Sequence, residues 1–125
     1  MLTQIEALQS HLKKLNNRAF RINAVVVVEG KKDVKALKPI LGASFFILNN
    51  GTKRSLYESA EVLASRYKSA ILLLDTDKKG KELRKKMKSY LQLFGTKVYE
   101  ERKLLKLARA RTVEDLSSIN LVRFL

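Results

Sequence analysis

The apolar stretch from Ala24 to Val28 is the feature that most constrains how this chain can fold. It contains four consecutive valines and no polar residue. A short, β-branched segment that is apolar on both faces is typical of a parallel strand buried inside a sheet. Residues 69–74 (SAILLL) share the pattern, and residues 44–48 and 96–99 predict two further strands.

Helical periodicity fills the intervals around these strands. The spacing of apolar residues predicts helices at 2–17, 31–41, 54–67, 78–94, 101–110 and 113–118. Pro39 predicts that the second helix ends or kinks near Lys38, and Thr112 with Asp115 predicts an N-terminal cap for the last one. The alternation predicts an α/β fold with a mainly parallel four-stranded sheet flanked by helices, and 125 residues fit a single domain over 1–125.

Acids, amides and glycines follow the predicted strands at their carboxyl ends. These residues are Glu29 and Gly30 after the first strand, Asn49 and Gly51 after the second, and Asp75 and Asp77 after the third. Ligands of open parallel sheets bind outside these strand ends, so the side chains should converge there. Because converging carboxylates repel each other, the pattern favours a hard divalent cation, and oxygen ligands suit Mg²⁺.

Each of these residues also has an ordinary structural explanation. Asp77 could cap the helix that follows it. Glu29 could form an ion pair with a nearby base, and Asp33 could be a solvated acid at the start of a helix. Gly30 and Gly80 could be turn glycines, although Gly30 could also let the backbone approach a phosphate. The combination of a Glu and an Asp-x-Asp on two strand ends favours the metal site.

The charge predicts a polyanionic partner. The chain has 26 Lys and Arg against 12 Asp and Glu, a net charge of +14. Nucleic acid is the leading candidate, although an anionic membrane surface or a ribosomal-type role would suit a similar balance. Residues 78–111 alone contain 13 basic residues and three Glu, which gives +10.

The predicted contacts to nucleic acid are basic residues that follow the strand ends. They are Lys31, Lys32, Lys53, Arg54, Lys78, Lys79, Arg84 and Lys85. The members between 78 and 88, Arg84 included, are expected on the non-core face of their helix. The alternative for this charged face is simple solvation.

Several classes of protein are excluded or disfavoured. The absence of Cys excludes disulfides and thiolate metal sites, and His11 as the only His disfavours a His-based zinc site. No apolar segment approaches the roughly 20 residues that cross a bilayer, and the N-terminus lacks a secretory pattern. We therefore expect a cytoplasmic protein without a membrane partner.

The segments AVVVVEGKKD and ILLLDTDKKG resemble the two signature motifs of the Toprim family. Glu29 and Asp75 are 46 residues apart, which suits two intervening βα units, and the resemblance covers roughly residues 22–100. The segments EGKKD, NNGT, DTDKKGKELRKKM and TVED look most similar to the branch of the bacterial ribonuclease that matures 5S ribosomal RNA. The resemblance implies a Toprim, Rossmann-like fold.

The resemblance also implies roles for individual residues. Glu29 would be the general acid or base and would also touch metal. Asp75 and Asp77 would hold Mg²⁺, with Mn²⁺ as a substitute, and Asp33 would support a second metal. Arg84 matches a basic residue that meets phosphate in that branch.

Three functions remain open from the sequence. The first is a Mg²⁺-dependent, endoribonuclease-like phosphodiester hydrolase that acts on structured RNA or, with less support, on DNA. The second is a nucleic-acid-binding Toprim module that does not catalyse alone and works in a ribonucleoprotein, replication or repair assembly. The third is a structural ribosome-associated protein. Because the substrate-binding domains of larger Toprim enzymes have no counterpart in this sequence, a protein partner could supply specificity.

Overall fold

The computed structural model describes residues 3–49, 51 and 53–118. The elements in chain order are α1 (Gln4–Arg21), β1 (Val25–Val28), α2 (Lys31–Leu37), β2 (Phe45–Ile47), α3 (Leu56–Arg66), β3 (Ser69–Leu72), α4 (Lys78–Leu93), β4 (Lys97–Glu100), α5 (Lys103–Leu107) and a 3₁₀ helix, η1 (Glu114–Ser118). No helix in the described part of the chain is both long and apolar enough to span a bilayer.

The four strands form one sheet in the order β2-β1-β3-β4, and every neighbouring pair is parallel. The predicted α/β class with a four-stranded parallel sheet is therefore confirmed. The chain passes from β1 to β2 on one side and then returns to β3 on the other side of β1. The strand order reverses between β1 and β3, which makes this gap the switch point where ligands of such sheets bind.

Helices cover both faces of the sheet. Val26, Val28 and Ile71 pack into a core with α1, α2, α5 and η1. Val25 and Leu72 belong to a second core with α3 and α4. Because successive side chains of a strand point to opposite faces, an all-apolar strand is what two cores require, and β1 and β3 are buried along their whole length.

The element boundaries differ modestly from the predictions. The first helix continues to Arg21, and Leu2, which belongs to its predicted range, lies outside the described residues. The second helix stops at Leu37, as Pro39 predicts. The predicted helix at 101–110 shortens to Lys103–Leu107, and the one at 113–118 is η1. The Thr112 cap is present, since its hydroxyl oxygen accepts a 3.2 Å hydrogen bond from the backbone N–H of Asp115.

Candidate metal centre and its basic surroundings

The loops that follow β1, β2 and β3 meet at the switch point. The backbone N–H of Asn49 donates to the carbonyl oxygen of Glu29 at 2.8 Å, which ties the loop after β2 to the loop after β1. The N–H of Leu73 donates to the carbonyl of Val27 at 3.0 Å and continues the pairing of β1 with β3 up to the loop that holds Asp75. The predicted convergence of the strand ends is therefore present in the backbone.

Asp75 and Asp77 are each held through one carboxylate oxygen. Oδ1 of Asp75 accepts a 2.8 Å hydrogen bond from the backbone N–H of Val113. Oδ1 of Asp77 accepts one of 2.7 Å from the N–H of Gly80, so Asp77 is the N-cap of α4, as its ordinary explanation anticipated. One oxygen of each group is occupied in this way. The described residues place no further hydrogen bond on the other oxygen, which suits it to a cation.

Gly80 belongs to the first helical turn of α4 and is not part of a loop, so the explanation of it as a turn glycine is wrong. A Cβ atom at this position would collide with the backbone carbonyl oxygen of Asp75. The residue therefore needs to be glycine because the helix start packs directly against the Asp-Thr-Asp loop. This close approach brings the start of α4, which Asp77 caps, directly against the backbone of Asp75.

Asp33 is buried, so the alternative explanation of it as a solvated acid at the start of a helix is wrong. It is 8% exposed, and its Oδ2 accepts a 3.0 Å hydrogen bond from the backbone N–H of Gly30, which caps α2. Burial raises the pKa of Asp33 against the lowering effect of the Gly30 hydrogen bond, and the charge of Glu29 raises it further. Its metal role stays a prediction.

The four acids share one electrostatic environment. Burial raises the pKa of Asp75 despite the hydrogen bond from Val113, and the charges of Asp33, Asp77 and Glu29 add to the rise. These side chains are thus close enough to repel each other. However, among residues 3–49, 51 and 53–118 no three such side chains are arranged to hold one ion together. Mg²⁺ is usually held by one or two carboxylates and completed by water and substrate phosphate, so it does not require three protein ligands around one point.

Glu29 forms an ion pair with Lys79, as its ordinary explanation anticipated. The distance from Nζ to Oε1 is 2.9 Å, and the side chain of Lys79 is 79% exposed. The hydrogen bond and charge of Glu29 raise the pKa of Lys79. A pair this exposed contributes little to stability, so a ligand can displace the lysine.

Gly30 and Gly51 occupy the two neighbouring loops. Gly30 has φ −141°, an extended conformation open to any residue, and a Cβ there would meet no atom within 4 Å. Neither conformation nor packing requires this glycine, which leaves close approach of a ligand as an explanation. Gly51 has φ +90°, so the predicted turn after Asn49 is confirmed at that residue; the neighbouring Asn50 and Thr52 lie outside the described residues.

The predicted nucleic-acid contacts are unequally placed. Lys31 and Lys32 are exposed at the start of α2, and Lys78, Lys79 and Lys85 are exposed on α4. Lys53 is exposed and Arg54 half-buried in the segment before α3. Within the described part of the chain, neither Lys53 nor Arg54 forms a hydrogen bond or ion pair with the four acids, so their place in the same site stays a prediction.

The predicted position of Arg84 on the non-core face of its helix is wrong. The residue is 4% exposed, and its guanidinium donates to the carbonyl oxygens of Leu74 at 3.2 Å and Asp75 at 3.4 Å. Arg84 thus supports the backbone of the Asp-Thr-Asp loop from behind. Its predicted contact with phosphate depends on a pocket that sequence reasoning did not identify.

That pocket has a volume of about 450 Å³ and lies beside the Asp-Thr-Asp loop. Its lining residues are Thr76, Lys81, Arg84, Lys85, Lys88, Glu100 and Arg102. Glu100 ends β4 and Arg102 follows it, so the strand-end argument applied to the fourth strand could have found both. The backbone groups of Val113 and of Arg111, whose carbonyl oxygen accepts from Thr76 at 2.8 Å, carry no comparable signal in the sequence.

A parallel four-stranded sheet with Glu-Gly and Asp-x-Asp at its switch point defines a Toprim domain. The family model described as Toprim domain matches residues 24–110, and the chain belongs to this family. It is 34% identical over 119 residues to the UPF0292 protein of Methanosarcina barkeri, which covers 94% of this chain and 79% of that protein.

Two further similarities extend this placement. Ribonuclease M5 of Fusobacterium nucleatum is 40% identical over 67 residues, which cover 52% of this chain and 36% of the ribonuclease. A solved structure of a protein from Aquifex aeolicus aligns with a TM-score of 0.69 and 31% identity over 85% of this chain and 95% of that one. The predicted resemblance to the Toprim family and to its 5S-maturing branch is confirmed at this level.

Proposed function

We propose that this chain is a Mg²⁺-dependent nucleic-acid phosphodiester hydrolase that acts on structured RNA, with DNA as a weaker candidate. The observation that carries the proposal is that Glu29, Asp75 and Asp77 follow the carboxyl ends of the neighbouring strands β1 and β3, at the switch point of a strongly basic protein. Family membership and the partial similarity to a ribonuclease support a function on nucleic acid.

Asp75 and Asp77 are the residues that would hold Mg²⁺, and Mn²⁺ would be accepted by the same oxygens. Each has one oxygen fixed by a backbone N–H, which orients the other. Bound there, the metal supplies stabilisation of the negative charge that develops on the scissile phosphate. Asp33, fixed by Gly30, adds negative charge to the same environment and would support a second ion.

Glu29 would take a proton from the attacking water or give one to the leaving oxygen. For this role the ion pair between Glu29 and Lys79 must break. Because the lysine is exposed, breaking the pair costs little free energy. Lys79 can then turn to a substrate phosphate, together with the exposed Lys31, Lys32 and Lys78. Contacts of this kind position the backbone and carry no sequence information.

The test is a cleavage screen on total RNA, structured RNA and DNA with Mg²⁺ or Mn²⁺. Wild type should cleave at least one substrate, and Glu29→Gln should reduce the rate by about 10²-fold or more, since a general acid or base contributes 10²–10⁴. Glu61→Gln removes one exposed carboxylate from α3 and serves as the matched control. Equal cleavage by wild type and Glu29→Gln on every substrate would sink the hydrolase proposal.

A nucleic-acid-binding module without independent catalysis is the second candidate. Two observations favour it: among the described residues no three ligands are arranged around one ion, and the match to the ribonuclease covers only 36% of that protein. A protein partner would then supply the substrate and complete the active assembly. This candidate predicts binding of RNA without cleavage by wild type, Glu29→Gln and Glu61→Gln alike.

A further inference from the structure

The pocket beside the Asp-Thr-Asp loop carries an excess of positive charge. Among the seven described residues that line it, five are basic and Glu100 is the one acid. That carboxylate is already shared, because it accepts from Arg102 at 3.1 Å and from Lys88 at 3.5 Å. One carboxylate cannot balance five cations, so the pocket is suited to an additional anion.

Arg84 is the buried member of this lining. It is 4% exposed, and within the described residues its Nε has no hydrogen-bond partner. Burial, and then the charge of Arg102, lower the pKa of Arg84, while Glu100 opposes them. Buried charges are normally paired, so a buried guanidinium in a pocket that Arg102 also lines calls for a negatively charged ligand.

The location of the pocket indicates which anion it takes. Thr76 lines the pocket and also separates Asp75 from Asp77. Arg84 donates to the carbonyl of Asp75, so pocket and acids share one loop. We propose that this pocket binds a phosphate group of the nucleic-acid substrate adjacent to the phosphate that lies at the acids. This inference rests on the proposed function and adds a second phosphate site to it.

The size of the pocket exceeds what a lone phosphate needs. A volume of about 450 Å³ lies in the range of ordinary ligand pockets, which leaves room for the attached sugar and part of a base. The same phosphate chemistry can come from two sources. One is an internal diester of the strand, and the other is a terminal monoester at a strand end.

The experiment measures RNA binding without cleavage. Three fluorescein-labelled RNAs of one sequence would be titrated in EDTA by fluorescence anisotropy: a 5′-phosphorylated strand, a 5′-hydroxyl strand and a closed circle. The pocket variant is Lys81→Gln with Lys85→Gln, two exposed residues whose loss should leave the fold intact. The control is Lys68→Gln with Lys97→Gln, which removes the same charge at the opposite, amino-terminal ends of β3 and β4. Thermal unfolding of both variants verifies folding.

We expect the pocket variant to lose about tenfold or more in affinity relative to the control, because charge-assisted hydrogen bonds to phosphate are lost. The slope of log affinity against log salt should also fall by roughly 0.7 per lost contact. A loss confined to the 5′-phosphorylated strand assigns the pocket to a terminal monoester. An equal loss on all three RNAs assigns it to an internal diester.

Equal affinities for the pocket variant and the control variant on all three RNAs would overturn the second phosphate site. The proposed function would survive that result, because its own test is cleavage by wild type against Glu29→Gln. Failure of wild type to bind any of the three RNAs would also overturn this inference, and the cleavage screen with Mg²⁺ would decide the proposed function separately.

Discussion

The backbone N–H of Val113 donates a 2.8 Å hydrogen bond to Oδ1 of Asp75 and joins the C-terminal segment of the described chain to the candidate metal centre. The neighbouring Thr76 adds two hydrogen bonds from its N–H and its hydroxyl to the carbonyl oxygen of Arg111, at 2.8 and 3.0 Å. Val113 and Leu116 are themselves buried in the core that contains α1 and α2. The packing of residues 111–118 therefore fixes the Asp-Thr-Asp loop.

Leu116→Ala should weaken metal binding from a distance. The side chain is 1% exposed, so its truncation should lower the free energy of unfolding by about 2–5 kcal/mol. Because the Val113 donor moves with this segment, the stabilisation that Mg²⁺ gives should shrink as well. Urea unfolding with Mg²⁺ and with EDTA measures both effects.

Leu93→Ala is the control, since Leu93 is 69% exposed and its loss should change stability by about 0.5 kcal/mol or less. An unchanged Mg²⁺ increment in Leu116→Ala would refute the coupling.

Asp75→Asn should stabilise the metal-free protein. The amide oxygen of Asn can still accept from Val113, whereas the charge that burial and the neighbouring acids disfavour is gone. A carboxyl whose folded pKa is raised opposes folding once it is ionised, so at neutral pH its removal should raise the free energy of unfolding. Denaturant unfolding in EDTA measures this. With Mg²⁺ the order of wild type and variant should reverse. A variant less stable than wild type in EDTA would argue against repulsion among these acids.

Gly80→Ala should lower stability through a packing clash, whereas Gly30→Ala should lower RNA affinity without a comparable loss of stability. Alanine at 80 collides with the carbonyl of Asp75, so we expect a loss of about 1–3 kcal/mol in stability, offset in part by better helix propensity. Alanine at 30 meets open space, so stability should change by about 1 kcal/mol or less. If the backbone of Gly30 approaches phosphate, RNA affinity should nevertheless fall. Chemical denaturation and anisotropy give the two readouts, and unaltered RNA affinity in Gly30→Ala would remove that role.

The strands of the sheet can be predicted because the pattern that marks each of them lies within a few consecutive residues. A strand covered on both faces must be apolar at every position, and β1 and β3 satisfy this requirement within a few residues. The polar residues that follow the strands then predict which acids lie at the carboxyl edge of the sheet, and their role as ligands stays a prediction. The breaks in the helices followed from single residues such as Pro39, which ends α2 near its predicted position.

The sequence prediction for Arg84 is wrong because it follows the charge of the residue rather than its position in the helical repeat of α4. The buried stripe of α4 is Gly80, Arg84, Met87 and Leu91, which follow one another at steps of four, three and four. That spacing alone puts Arg84 inside the protein. Its charge instead favours an exposed position, although the carbonyl oxygens of Leu74 and Asp75 accept hydrogen bonds from one nitrogen of its buried guanidinium.

The hydrogen bond that fixes Asp75 cannot be predicted from the sequence, for a different reason. Its partner is a backbone N–H 38 residues away, and every residue except proline has one. No residue type marks such a donor. The buried state of Asp33 was hidden in the same way, since it depends on the packing of α2 rather than on the charges near it.

Glu100→Gln should tighten RNA binding while it weakens the fold slightly. Glu100 occupies Lys88 and Arg102, and its neutralisation frees both for phosphate and raises the positive potential of the pocket. The cost in stability should be about 1 kcal/mol or less at neutral pH, because both partners are substantially exposed. Anisotropy with the RNAs described above measures affinity, and Glu61→Gln controls for loss of one negative charge.

The pH dependence of this variant gives an independent check on the ion pairs. Burial acts to raise the pKa of Glu100, but the hydrogen bonds and charges of Arg102 and Lys88 outweigh it and lower the pKa below its ordinary value. A lowered folded pKa means that the ion pairs stabilise the fold above the unfolded pKa and lose this effect as the pH falls through the folded value. The stability difference between wild type and Glu100→Gln should thus be complete at neutral pH and vanish in acid. Urea unfolding across this range tests it, and a difference that persists below the folded pKa would mean that Glu100 acts through packing rather than charge.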